Sequence, residues 1–469
     1  MTGSVHPLGE LARPTLRKVW QDPAVRQRII EYLGGRYLSE ATCTFLGSLD
    51  AANPSRFKRH PPHALDRILD SGQDIARSLE DRISMLVHLD IEYVNFDNPA
   101  AAYLDAPRIF RLQEPLVEAI EARLLAFGIR YLHLITGQGH HFVWRVPKES
   151  PVAQSIAALG ICTPADGSSS VADPMFQHLA LLMEHFAHLV KRDAASHCEV
   201  PVEITAQHVG PGASGAREML SIDLSEYGDP LHSRMIRIPY TIYQKPCLSG
   251  LIGHGHQRVS EFFTLPLHEM GLAQLLLDRQ CPEKILALAR RAGVRIPVHD
   301  RGTERLMDDY LKSDLCVFHR KFYAIAQGHP ELSPQNDDQA LLDLLPPCAV
   351  HVLTEPNDWL LKPSGMQLVT RCLLALGWHP RHIAGLIRSK FANPAHGWDE
   401  TWRQYDPTLR AEFYVRLFSG QIATGLDRGI DFNCVSQQEK QFCWNPCGCS
   451  LDPFRSQLHA TFNPNPSPS

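Results

Sequence analysis

Three acidic side chains stand in patterns that could bind metal ions. Asp90 and Glu92 are two residues apart in the segment 84–94, SMLVHLDIEYV, and Asp223 has a similar place in the segment 217–225, REMLSIDLS. In a β-strand, a spacing of two puts both carboxylates on one face, within reach of a shared pair of cations. Phosphoryl transfer needs such cations at the attacking and leaving oxygens. A solvated strand edge is the alternative interpretation of each acidic residue taken alone.

A turn with two glycines follows at residues 136–141, TGQGHH. Gly137 and Gly139 would let backbone N–H groups approach a phosphate closely, and Thr136 or His141 could add a contact. An ordinary hairpin turn with a structural histidine would show the same residues. The turn by itself is therefore a candidate phosphate site only.

Two cations fall within the run 235–245, MIRIPYTIYQK. Arg237 and Lys245 could contact a triphosphate held beside a carboxylate–metal site. Taken alone, each is equally compatible with a place on the surface.

Hydrophobic periodicity predicts the elements that would position these residues. In 84–94, Val87, Leu89, Ile91 and Tyr93 form one face of a strand, and His88, Asp90 and Glu92 form the other. The remaining predictions are a mostly helical segment over 1–80, a helix from Pro115 to Phe127 stopped by Gly128, a hairpin from 130–135 through the turn into 141–146, a surface loop over 147–173, a helix over 174–193, strands over 217–225 and 235–245, and largely helical structure over 266–345.

Four cysteines crowd into sixteen residues near the end of the chain. They are Cys434, Cys443, Cys447 and Cys449, in a segment rich in turn residues. Thiolates bind zinc or an iron–sulfur cluster, and both prefer four soft ligands. The paired spacing usual in zinc ribbons does not occur, so this irregular spacing favours an iron–sulfur site. A set of free cysteines is the alternative.

Composition limits the classes of protein to which the chain could belong. Of its 469 residues, 44% are hydrophobic and 21% are charged, which suits two or three folded domains rather than a disordered chain. The formal net charge of −5 excludes a uniformly basic protein but not a local basic groove. No run of apolar residues reaches membrane-spanning length and no secretory signal is evident, so a cytoplasmic protein without membrane contact is expected.

The order of the motifs resembles the catalytic subunit of archaeo-eukaryotic primases and related primase-polymerases. Asp-x-Glu at 90–92 matches the paired acidic motif of the family. The turn matches its Ser-Gly-x-Gly-x-His motif with Thr136 for serine, and Asp223 matches its later aspartate. Its Arg-x-Pro-x-Ser motif with a trailing lysine is matched by Arg237, Pro239, Thr241 and Lys245. The resemblance implies that Asp90, Glu92 and Asp223 bind Mg²⁺ or Mn²⁺, and that Thr136, Gly137, Gly139, His141, Arg237 and Lys245 bind the nucleotide.

The C-terminal cysteines resemble the iron–sulfur domain of the primase large subunit. There, a Pro-Pro-Cys sequence supplies the first ligand, as at Cys348 here, and a helical stretch precedes the rest. The resemblance implies a [4Fe–4S] cluster on Cys348, Cys434, Cys443 and Cys449, with Cys447 as an alternative fourth ligand and zinc as the alternative metal.

Together these features predict an α+β or α/β protein. A primase-type catalytic domain with a mixed sheet would occupy 1–265, a helical linker 266–345, a mostly helical iron–sulfur domain 346–455 and a disordered tail 456–469. The expected activity is template-dependent primer synthesis, with single-stranded DNA and nucleoside triphosphates as ligands and a helicase or polymerase as a candidate partner. A catalytically silent nucleic-acid-binding protein and a metal-dependent phosphodiesterase are the alternatives.

Overall fold

The computed structural model describes most of the chain. It covers residues 18–50, 53–162, 173–212, 214–228, 235–243, 262–268, 271–326, 342–354, 359–391, 406–443 and 447–462. Two compact units interleave along the sequence. The first consists of Met1–Glu114, Leu124–Pro151 and Ser233–Gly302, and the second of Pro115–Arg123, Val152–His232 and Thr303–Ser469.

Both helices and strands occur, and the strands pair in both directions. The strands are β1 Leu46–Asp50, β2 Asn53–His60, β3 Ile75–Ser78, β4 Ser84–Asn95, β5 Leu132–Ile135, β6 Gly139–Pro147, β7 Val202–Ile204, β8 Glu218–Asp223, β9 Met235–Arg237, β10 Ile242–Tyr243, β11 Phe262–Phe263 and β12 Leu265–Pro266. The helices are α1 Pro23–Tyr32, α2 Leu65–Ser71, α3 Ala101–Leu104, α4 Ala106–Phe127, α5 Pro151–Ala157, α6 Pro174–Ala194, α7 Leu272–Asp278, α8 Pro282–Arg291, α9 Asp300–Leu311, α10 Asp314–Tyr323, α11 Pro347–Thr354, α12 Pro363–Ala375, α13 Pro380–Phe391, α14 Pro407–Ala423, α15 Cys434–Glu439 and α16 Asp452–Phe462. The chain is thus a mixed α/β protein with a helical C-terminal region.

Strand β4 is the longest strand of the first unit. It pairs antiparallel with β6 over nine residues, from Ser84 opposite Pro147 to Glu92 opposite Gly139. Strand β5 pairs antiparallel with the other edge of β6, and β12 follows β5. The predicted strand 84–94 and the hairpin at 130–146 are confirmed. The apolar face of β4 is fully buried, as its alternation predicts.

The N-terminal region differs from the predicted mostly helical segment. Besides α1 and α2 it contains β1, β2 and β3, which join β9 in a four-stranded sheet of order β2-β1-β3-β9. These strands carry few large apolar side chains, so their alternation is weak in the sequence. In β3 even Arg77 is buried, because its guanidinium bonds the carboxylate of Asp81 at 2.8 Å and the backbone oxygen of Tyr32 at 2.6 Å.

The helix predicted from Pro115 begins nine residues earlier than predicted. Helix α4 starts after Asp105, whose carboxylate accepts a hydrogen bond from the backbone N–H of Arg108, and Pro115 lies inside the helix. Gly128 ends it in the left-handed conformation, as predicted. A capping aspartate therefore outweighed the preference of proline for the first turn.

Three further segments depart from expectation. The region 147–173, predicted to be a loop, contains α5 before the described residues end at 162. The segment 235–245 forms two short strands rather than one, because Tyr240 between them takes a positive φ of 62°. Helix α16 covers residues 456–462 of the segment for which composition predicts a disordered tail, and it buries Leu458.

The second unit pairs β7 with β8 in parallel and is otherwise helical among its described residues. Its core includes a buried polar network on Glu184 of α6. Arg416 of α14 donates to Glu184 at 2.9 Å, and His319 of α10 lies at 3.2 Å. Burial would raise the pKa of Glu184, but the Arg416 cation outweighs it and lowers the pKa to about 2. Within the described residues, no helix is both long enough and apolar enough to cross a membrane.

We expect the β4–β6 pair to tolerate no side chain at Gly139. A Cβ atom there would lie 1.7 Å from the backbone oxygen of Ile91, so Gly139→Ala must push the two strands apart. The expected loss is about 3 kcal/mol of unfolding free energy, measured by chemical denaturation. Gly271→Ala is the matched control, since nothing lies within 4 Å of its added Cβ. Equal losses in the two variants would contradict this close packing.

Candidate metal centre and cysteine cluster

Strands β4 and β6 bring two histidines and one aspartate together. His88 and Asp90 point to the same face of β4, and His141 lies directly opposite Asp90 on β6. The ligand atoms of all three side chains lie within 4.8 Å of one another. His141 Nε2 is 3.4 Å from Asp90 Oδ2, and the His88 and His141 rings meet edge to face at 4.4 Å. This triad is a candidate metal site.

The imidazole of His141 is held neutral by its surroundings. Burial lowers its pKa well below 6.5, and the neighbouring His88 and Arg237 lower it further. Its Nδ1 atom is buried and has no hydrogen-bond partner among the described residues. A neutral imidazole with a free nitrogen lone pair can bind a metal ion without first losing a proton.

Glu92 and Asp223, the other two predicted metal ligands, are not part of this triad. Glu92 lies opposite Gly139, two pairs along from Asp90 and His141, and is half-buried. It faces the ring of Tyr243, whose pKa is raised mainly by burial and further by this carboxylate. Asp223 belongs to the second unit, at the end of β8. Its carboxylate accepts hydrogen bonds at 2.9 Å from the backbone N–H and the hydroxyl of Ser225.

The two-glycine turn packs tightly against aromatic rings. A Cβ on Gly137 would lie 2.6 Å from the ring of Tyr243, so only glycine fits here. The backbone oxygen of Thr136 accepts a hydrogen bond from Arg279 at 3.0 Å. The side chain of Gln138 accepts one from the hydroxyl of Tyr103 at 2.8 Å. The turn therefore has a fixed shape before any ligand binds.

Arg237 is held near His141 by Asp74, a residue that the sequence analysis did not identify. It forms an ion pair with Asp74, which is 1% exposed, and its guanidinium lies 4.1 Å from the centre of the Tyr243 ring. Burial opposes this charge, but Asp74 outweighs it and the pKa of Arg237 is raised. Lys245 lies outside the described residues.

His88 and Asp74 could have been found from the sequence only in part. His88 shares the polar face of the predicted strand with Asp90, and that alternation was the available signal. Asp74 lies just before β3, in a region predicted to be helical, and nothing in its local pattern marks it as the partner of a residue 163 positions away.

The cysteines of the second unit converge from three parts of the chain. Cys348 lies on α11, Cys434 begins α15, and Cys443, Cys447 and Cys449 follow it. Burial raises the pKa of Cys348 to about 12, and the nearby Cys443 and Cys449 add to this effect. The Sγ of Cys434 is 3.6 Å from the backbone oxygen of Cys449.

A further cysteine, Cys372 on α12, belongs to the same neighbourhood. It is fully buried, and its pKa is raised well above 9.0 by burial and by Cys348 and Cys449. Sequence reasoning passed over it because it lies inside a helix, far from the crowded segment. Six thiols thus lie in this part of the second unit, but among the described residues only His88, Asp90 and His141 bring three ligand atoms within 4.8 Å of one another. Metal binding at the cysteines would have to bring thiols closer together and release protons.

An ion network fixes the segment that leads into these cysteines. Arg371 of α12 donates to both oxygens of Asp427, at 2.7 and 2.9 Å, and to Asp431 at 2.9 Å. Lys440 also bonds Asp431. The fork of Arg371 thereby ties the loop before Cys434 to the helix that carries Cys372.

Comparison with protein-family models, with curated proteins and with solved structures finds no match to this chain.

We expect the triad to bind a transition metal through its imidazoles. His141→Ala should weaken Co²⁺ binding by at least about tenfold, measured by the visible absorption of the bound ion, because one of three ligands is lost. His268→Ala, an exposed histidine of the same unit, is the control and should bind as the wild type does. Unchanged affinity in His141→Ala would exclude the triad as the Co²⁺ site.

We expect Cys348 to be required for metal at the cysteine cluster. Cys348→Ser should lower the iron or zinc content of anaerobically purified protein, because α11 would no longer be tied to the later cysteines. Cys198→Ser is the matched control, since Cys198 is a half-buried cysteine of the same unit outside the cluster. Full metal content in Cys348→Ser would leave the later cysteines as a local site of their own.

Proposed function

We propose that the chain is a template-dependent nucleotidyltransferase of the primase or primase-polymerase type. The observation that carries the proposal is the pairing of Asp90 with His141 across β4 and β6, with Glu92 two pairs along and Arg237 beside them. A candidate cation site on the β4–β6 pair thus lies near the guanidinium of Arg237, which comes from strand β9 of the four-stranded sheet. Phosphoryl transfer depends on such fixed positive charge.

The reaction would join the 3′-hydroxyl oxygen of a primer, or of the first nucleotide, to the α-phosphorus of an incoming triphosphate. The bond to pyrophosphate breaks, and the hydroxyl proton passes to solvent or a nearby base. Bound Mg²⁺ or Mn²⁺ would supply the charge neutralisation that this transfer requires. Asp90 and Glu92 would hold the ions from β4.

The phosphates of the nucleotide would lie against the turn and Arg237. Gly137 packs against the Tyr243 ring and Gly139 against the backbone of Ile91, and Thr136 and His141 stand at the two ends of the turn. Because Asp74 and the Tyr243 ring already fix Arg237, its charge needs little reorganisation when a triphosphate arrives. Lys245 is the remaining proposed phosphate contact.

The cysteine cluster would stabilise a C-terminal module that positions the template and the initiating nucleotide. We propose a [4Fe–4S] cluster on Cys348, Cys434, Cys443 and Cys449, with Cys447 and Cys372 as alternative ligands and zinc as the alternative metal. The convergence of thiols from separate helices supports a metal staple, since α15 is only six residues long.

A metal-dependent phosphodiesterase is the second candidate function. Two imidazoles beside one carboxylate form a ligand set that suits transition metals more than Mg²⁺. Such a metal can activate water for hydrolysis. The two functions differ in the fate of a labelled oligonucleotide, which grows in one case and shortens in the other.

We expect Asp90→Asn to abolish nucleotide addition. The substitution keeps the size of the side chain but removes a charge that the metal ions need, so primer extension should fall by at least about a hundredfold. Asp66→Asn is the matched control, since this aspartate of the same unit is 55% exposed in its pair with Arg26. Full extension by Asp90→Asn contradicts the catalytic assignment. Shortening of the oligonucleotide by the wild type favours the phosphodiesterase.

A further inference from the structure

A buried arginine lies against the backbone of the two-glycine turn. Arg279 caps the C-terminal end of α7 and is 3% exposed. Its Nη1 atom donates a hydrogen bond to the backbone oxygen of Thr136 at 3.0 Å and lies 3.5 Å from that of Gly137. Within the described part of the chain it has no ion pair with a carboxylate. Buried cations are almost always paired, so this guanidinium needs another explanation.

Aromatic rings and the turn take the place of a carboxylate. The guanidinium carbon of Arg279 lies 4.4 Å from the centre of the Phe262 ring and 5.5 Å from that of Phe110, and the faces of such rings attract cations. Burial lowers the pKa of Arg279 to about 10 against the opposing effect of Tyr103, so the side chain is still charged at neutral pH. These residues and the turn all belong to the first unit. The turn therefore has a fixed positive charge on one side.

The two other backbone oxygens of the turn are occupied as well. That of Gln138 accepts hydrogen bonds at 3.0 Å from the backbone N–H of Tyr93 and at 3.0 Å from the side-chain amide of Gln113. That of Gly139 accepts one at 2.9 Å from the backbone N–H of Thr136. Together with the two that face the guanidinium, all four carbonyl groups of the turn are engaged within the first unit.

The unused hydrogen-bonding groups of the turn are donors. The backbone N–H groups of Gly137 and Gln138 donate to no residue that the structure describes, and Gln138 is half-buried. The carbonyl and the N–H of a trans peptide point in opposite directions, so the carbonyls held by Arg279 turn these two N–H groups to the other side. Neighbouring N–H groups on one side can bind an anion, whereas a carbonyl oxygen there would repel it.

We propose that Arg279 is a positioning residue for the phosphates of the nucleotide, acting through the turn and not by contact. The proposal rests on the proposed function, which places the phosphates at this turn. The guanidinium holds the carbonyls of Thr136 and Gly137 on its own side, so the N–H donors need not reorient when a triphosphate arrives. Its charge also polarises the same two peptides, which strengthens their N–H groups as donors.

The test compares how the full chain binds base-labelled fluorescent deoxyadenosine triphosphate with Mg²⁺ and, separately, Co²⁺. Arg279→Met keeps apolar contact with the rings but removes the charge and the donors, so it should weaken triphosphate binding by about tenfold, measured by anisotropy. Co²⁺ affinity, measured by visible absorption, should not change, because the register of β4 and β6 holds the triad. Arg279→Lys, which keeps a cation, should recover part of the triphosphate affinity. Arg290→Met changes an arginine of the same unit that is 63% exposed and is the matched control.

Hydrogen exchange of the Thr136 amide, which is bonded to Gly139, reports on the turn itself and should be faster in Arg279→Met than in Arg290→Met. Equal triphosphate affinity in these two variants overturns the positioning role alone. A parallel loss of triphosphate and Co²⁺ affinity with a lower unfolding temperature also overturns it, because general destabilisation would then be the cause. A wild-type chain that binds Co²⁺ but no triphosphate overturns the proposed function together with this inference, so the two failures are distinct.

Discussion

The antiparallel register between β4 and β6 is the constraint on which the candidate site depends. Nine consecutive residue pairs fix Asp90 opposite His141, Glu92 opposite Gly139 and Leu86 opposite Arg145. Since side chains alternate between faces, a slip of one residue would move Asp90 into the apolar face and Leu89 into the polar one. The fully buried apolar row of β4, formed by Val87, Leu89, Ile91 and Tyr93, makes such a slip costly. The geometry of the triad is therefore set by packing, before any ion binds.

Several charged side chains of the four-stranded sheet and its flanking residues are buried, and each buried charge needs compensation. Arg77 is paired with Asp81, and Arg237 with Asp74, and three of these four residues are 1% exposed or less. A buried ion pair adds little net stability, but removing one partner costs several kcal/mol. The pair with Asp74 holds the cation of Arg237 near His141. The same accounting sets Arg279 apart, since backbone oxygens and aromatic rings compensate its charge in place of a carboxylate.

Hydrophobic periodicity predicted the strands in which apolar and polar residues alternate regularly. The alternation in 84–94 and in the hairpin gave β4, β5 and β6, with Asp90 and His141 on a polar face. It could not reveal β1 to β3, whose strands depend on pairing with one another more than on large apolar side chains. Nor could it join Arg237 to Asp74 or Cys372 to Cys348, because those contacts arise only when distant segments pack together. The start of α4 was mistaken since Pro115 suggested a first turn, whereas Asp105 supplies the cap.

The two candidate metal sites are held by different physical means. At the triad, two paired strands fix the ligands, and His141 is already neutral, so an ion would enter a preformed site. At the cysteines, short helices and turns bear the ligands, and the thiols have raised pKa values that favour the protonated form. The network of Arg371 with Asp427 and Asp431 orients the segment before Cys434. A metal at the cysteines would therefore act as part of the fold, whereas a metal at the triad would act as a ligand of a fold that is already complete.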